Sequence, residues 1–128
     1  MDDTKEDLKT RTMRGCPLPV LVVAILFIVV GLVGFFYHIN DFFSDSAKLS
    51  EVFLVQFLRI LSIVGGILLL LAKNSGRWLS IAWILSHIVI SLLNSLSEVI
   101  AHIVFLILVS ILLFLPVSSS YFTKNGTR

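Results

Sequence analysis

Residues 77–115 read RWLSIAWILSHIVISLLNSLSEVIAHIVFLILVSILLFL, and this run decides the fold class. Coiled as helix, it is long enough to cross a hydrocarbon core twice, with Ser95–Ser97 as the turn between the crossings. It also carries His87, Asn94, Glu98 and His102, which lipid does not tolerate facing outward. The stretch therefore predicts a helical hairpin with one face on lipid and the other on protein.

The composition around the hairpin agrees. Of 128 residues, 57% are hydrophobic and 14% charged, and the mean hydropathy is +1.01. A soluble chain of this size has no interior large enough to hide that apolar surface, so most of it has lipid as its solvent. A net charge of +2 without a basic cluster excludes a nucleic-acid footprint. The single cysteine, Cys16, excludes an internal disulfide; it precedes the first apolar run and reads as a small interfacial residue, with S-palmitoylation as the alternative.

Working outward, residues 1–16 form a charged tail, and Pro17 and Pro19 sit where a helix start tolerates proline. The spans are expected at 17–37, 51–72, 77–94 and 98–115, followed by a tail at 116–128. The first is read as a retained helix and not as a cleaved leader. The last two spans are each roughly 27 Å long at about 1.5 Å per residue. Ser50 and Ser97 are expected as N-caps and Pro116 as the stop. Gly31 and Gly34 are spaced G-x-x-G, so the G-x-x-x-G dimerisation motif is absent. Asn125-Gly126-Thr127 fits the glycosylation pattern but falls on the expected cytoplasmic side.

Orientation follows from lysine and arginine. The first tail holds four, loop 38–50 one (Lys48), the next turn two (Lys73, Arg77), the third turn none and the last tail two. An N-in, C-in arrangement places eight inside against one outside, with Arg59 within a span. The expected fold is an all-α membrane protein, an antiparallel bundle of four transmembrane helices.

Three spans deliver polar groups to one level. His87 and His102 lie about equally far from the last turn, about 11 Å deep, and Arg59 about 12 Å deep. On the third span Ser80, His87, Ser91 and Asn94 fall within ~60° of one another, with Trp83 at the edge of that stripe. On the second, Gln56, Arg59, Ser62 and Gly66 share a side, and Glu98 and His102 lie one turn apart. Glu51 and Asn94 stand above, toward the outside.

Three readings of this cluster stay open. The groups satisfy one another, with Arg59 snorkelling to Glu98 or Glu51 and the histidines bonded to Ser91, Asn94 or backbone. They pass protons or a small solute, although the inner halves of the spans offer only Ser62, Ser80 and Ser110. Or His87, Glu98 and His102 ligate a metal, zinc or iron by donor type. No serine occupies a G-x-S-x-G elbow and no Gly-rich phosphate loop occurs, so catalysis is not expected.

Residues 74–122, with RWLSIAWILSH, the Asn94–Glu98 turn, the Ala101-His102 pair and LLFLPVSSSYF, resemble a family of small bacterial integral membrane proteins with four helices and no assigned function. The resemblance implies four helices, a bacterial inner membrane, and a pattern that includes Arg77, Trp83, His87, Glu98 and His102. The resulting expectation is a non-enzymatic membrane protein without a required cofactor, acting as a subunit or scaffold among other membrane subunits. The alternative is a proton or small-solute carrier acting as a homo-oligomer.

Overall fold

The computed structural model describes residues 15–45 and 48–125, and all regular structure among them is helical. The expected charged tail and the glycosylation triplet lie, all but Gly15, Cys16 and Asn125, outside the described residues. Helix α1 spans Leu18–Tyr37, starting at Pro17 with Pro19 in its first turn. A short 3-10 helix, Ile39–Phe43, follows. Then come α2 (Leu49–Leu70), α3 (Asn74–Ser91), α4 (Leu96–Phe114) and α5 (Pro116–Asn125).

Three segments are long and apolar enough to cross a membrane: Leu18–Phe43, which includes α1 and the 3-10 turn, then α2 and α4. They mark the chain as a membrane protein. Helix α3 falls short of that standard, because Asn74, Arg77, His87 and four serines interrupt its 18 residues. Large apolar side chains cover the outside, among them Leu18, Val33, Phe57, Val89 and Ile107, as lipid requires. Phe27, Leu69, Ile84 and Leu113 are fully buried.

Neighbours in sequence pack on each other, α1 on α2, α2 on α3 and α3 on α4, and α4 returns against α1. The α1–α2 pair is antiparallel, since Phe35 meets Gln56, Gly31 meets Ile63 and Ile28 meets Gly66. The missing G-x-x-x-G does not matter here. Each glycine is a separate notch, and Gly31 and Gly66 admit the partner helix's backbone from opposite sides.

The helix ends differ from expectation in instructive ways. Ser95, not Ser97, caps α4, its Oγ accepting from the Glu98 N–H at 3.4 Å; a cap must precede the first helical residue with extended backbone, and Ser97 is already inside. Helix α2 starts after Lys48, so Ser50 lies within it and Glu51 occupies its first turn. It ends at Leu70, short of 72, on a left-handed Ala72 (φ 56°). There Lys73 N–H reaches Leu68 O and Ala72 N–H reaches Leu69 O, a Schellman closure. Pro116 does end α4, by holding Leu115 extended. It then opens α5, so the expected tail is largely a helix that folds back on the bundle.

Adjacent glycines in α2 should respond in opposite ways. A Cβ at Gly66 would stand 2.7 Å from Ala24 O, whereas at Gly65 the nearest atom is 3.5 Å away. Gly66→Ala, and Gly31→Ala with Arg59 O at 2.9 Å, should lose about 1–3 kcal/mol by overpacking against backbone. Gly65→Ala should be neutral or gain up to ~1 kcal/mol of helix propensity. Thermal unfolding in micelles by circular dichroism checks this; equal effects at 65 and 66 would refute the packing assignment.

Candidate functional site

The two histidines do meet. Their rings lie 5.6 Å apart, centre to centre, bridging α3 and α4. His87 Nδ1 stands 3.1 Å from Trp83 O, and His102 Nδ1 stands 2.7 Å from Glu98 O and 3.1 Å from Ser91 Oγ. A carbonyl only accepts, so each Nδ1 donates and the neutral ring keeps its lone pair on Nε2. Backbone one turn back thus sets both tautomers. Each Nε2 is left as a base or metal donor, with no hydrogen-bond partner among the described residues.

The pair ends a column of rings. Phe105 of α4 stacks on Phe27 of α1 at 6.1 Å, and tilted ring contacts join Phe27 to Trp83 of α3 at 5.1 Å and Trp83 to His87 at 4.0 Å. Trp83 also donates its indole N–H to Leu58 O of α2 at 2.7 Å. Spacing marked Trp83 only as the edge of the polar stripe. Its part as the joint of three helices depends on contacts that periodicity does not encode. A cavity of about 140 Å3 lies beside it, lined by Leu26, Val30 and Ser62 among others.

The remaining predicted residues divide. Gln56 is buried and donates Nε2 to Phe35 O at 3.3 Å, while its Oε1 is buried without a partner among the described residues. Ser91 is buried against His102, but Asn94 and Glu98 are exposed. Glu51 is exposed and pairs with Lys48 at 3.7 Å, a surface contact of small energetic weight.

Arg59 does not pair with Glu51 or Glu98, and no ion pair or hydrogen bond of its side chain occurs among the described residues. Its backbone is level with Gly31, and its side chain rises one turn along α1 to lie across Gly34. The side chain thus extends toward the end of α1, without the acidic partner expected there. Among the described residues no group of three or more His, Cys, Asp or Glu side chains stands placed to hold one metal ion.

The opposite end holds what the sequence did not reveal. Arg77, counted as a loop cation, is buried, with its guanidinium 3.9 Å from the Phe114 ring centre and 5.0 Å from that of Phe122. It donates to Asn74 Oδ1 at 3.2 Å and Ser119 Oγ at 3.3 Å. Tyr121 of α5 donates to Leu70 O at 2.7 Å, and burial, then Cys16, push its hydroxyl up to about 12. Cys16 is buried too, and burial pushes its thiol up, opposed by a hydrogen bond with Tyr121. The thiol is packed inside and not presented to the membrane interface.

No protein-family model, curated protein or solved structure matches the chain.

Two outcomes follow from this geometry. Trp83→Phe removes the second donor to Leu58 O, which keeps its own helical bond, and should cost about 0.5–1.5 kcal/mol in thermal unfolding; an unchanged midpoint would show that the indole bond does not matter. Cys16 should react with N-ethylmaleimide at least ~10-fold more slowly in the folded protein than after denaturation. Equal rates would contradict its burial.

Proposed function

We propose that the chain is a non-enzymatic subunit or scaffold of a membrane assembly. Its helices α1 to α4 cross a bacterial inner membrane with both ends cytoplasmic. The observation that carries this reading is where the interior donors go. Ser62 Oγ donates to Phe27 O at 2.7 Å, Trp83 to Leu58 O, Gln56 to Phe35 O and Tyr121 to Leu70 O. Each ties one helix to the backbone of another. Such bonds hold register where apolar packing against apolar lipid discriminates poorly.

A crossing by α3 is supported by its surroundings. Its polar side groups Ser80, Trp83 and Ser91 are buried, flanked by α2 and α4. Lipid then meets mainly Leu85, Val89 and Trp78. The orientation rests on the distribution of basic residues.

A second reading, a proton or small-solute carrier acting as a homo-oligomer, is favoured by the His87–His102 couple with its two free Nε2 positions. A zinc or iron ion held at the same nitrogens is the third. Native mass spectrometry of the protein extracted from its own membrane, paired with proton flux in liposomes, separates them. The subunit reading expects additional polypeptides, no flux, and His87→Ala and His102→Ala variants that lose thermal stability. A bare chain or homo-oligomer that moves protons, and loses this in folded His87→Ala, would overturn it. A metal-sized mass increment absent from both variants would do the same in favour of the third reading.

A further inference from the structure

Arg59 is a cation whose position no bond among the described residues explains. It is half-buried inside an apolar span, and no acceptor among the described residues meets its guanidinium. An intramembrane charge without an internal partner takes one from outside the chain or from water. The surroundings indicate which. Arg59 stands in a groove of about 390 Å3 whose floor is Val29, Val30, Val33 and Gly34 and whose upper end is Tyr37 and His38.

Three features give the groove its chemistry. Val29, Val33 and Tyr37 are 49%, 64% and 78% exposed, so its flank faces outward along the apolar side of α1, where acyl chains lie. Gly34 lies about one turn, ~5 Å, from the end of α1, so the guanidinium sits just beneath the level of lipid headgroups. The nearby carboxylate of Asp41 is held by His38 at 2.8 Å. Cation, apolar slot and depth together match one amphiphile.

We infer that this groove binds a phospholipid with an anionic headgroup, its phosphate on Arg59 and an acyl chain along Val29, Val30 and Val33. Gly34 is part of the site. A Cβ there would stand 2.5–2.7 Å from Arg59 Nε, Cδ and Cζ, so any side chain displaces the guanidinium from the groove without removing its charge. The flexible arginine yields easily, so Gly34→Ala should fold.

The test is native mass spectrometry of the full chain in mild detergent with equimolar phosphatidylglycerol and phosphatidylcholine. The wild type should retain phosphatidylglycerol about tenfold better. Arg59→Gln should abolish the preference, Gly34→Ala should lower it severalfold, and Lys73→Gln, outside the groove, should leave it intact. If Arg59→Gln does not fold, Arg59→Lys with a partial preference and Gly34→Ala with a reduced one carry the same conclusion. No preference in the wild type, or a full preference in Gly34→Ala and Arg59→Gln, overturns the proposal. Displacement of the lipid by equal soluble glycerol phosphate would overturn it in favour of a free-anion site. A polypeptide retained by the wild type and lost in Arg59→Gln, without lipid preference, would make the groove a protein contact instead.

Discussion

The backbone contact between α1 and α2 is the constraint on which the rest depends. In lipid the hydrophobic effect does not drive helices together, because tails are as apolar as leucine, so association rests on close packing and on polar cross-links. Gly31 and Gly66 let each helix approach the other's carbonyl oxygens, Arg59 O and Ala24 O. Only at that separation does Ser62 Oγ reach Phe27 O and Gln56 reach Phe35 O. The same approach brings Arg59 over Gly34 and Leu58 O within range of Trp83.

The two ends of the bundle solve different problems. At one, α5 folds back and gathers Arg77, Phe114, Phe122, Tyr121, Cys16 and the end of α2 into a closed polar-aromatic seam. The buried guanidinium there is held by ring faces and neutral oxygens, which suits a delocalised, weakly hydrated cation. At the other end the polar groups stay accessible: Glu51, Asn94 and Glu98 are exposed, and Arg59 opens into its groove. A cluster that looks single by depth is thus two sites, a histidine couple between α3 and α4 and a lone cation between α1 and α2.

That division matters for any function assigned to the chain. The histidines are oriented by carbonyls of their own helices, so their tautomers survive small shifts of the bundle. Arg59 is placed by a glycine on another helix and has only a flexible stem to hold it. The first arrangement is fixed by the histidines' own helices; the second depends on a notch supplied by a neighbouring one.

The sequence alone determined the apolar character of the long helices, the helical class and the helical hairpin at residues 77–115. These follow from apolar run length and helical rise, which are local properties. Of the side chains expected on the polar sides of the second and third spans, Gln56, Ser62, Ser80 and Ser91 are buried, whereas Asn94 is exposed. What only the tertiary structure decided is who meets whom: Arg59 on Gly34 and not on Glu98, Trp83 on Leu58 O, α5 on Leu70 and Arg77. Periodicity gives a residue its direction around its own helix axis. It does not give the rotation, separation or register of the helix opposite, which are set by notches and bonds between residues far apart in the chain.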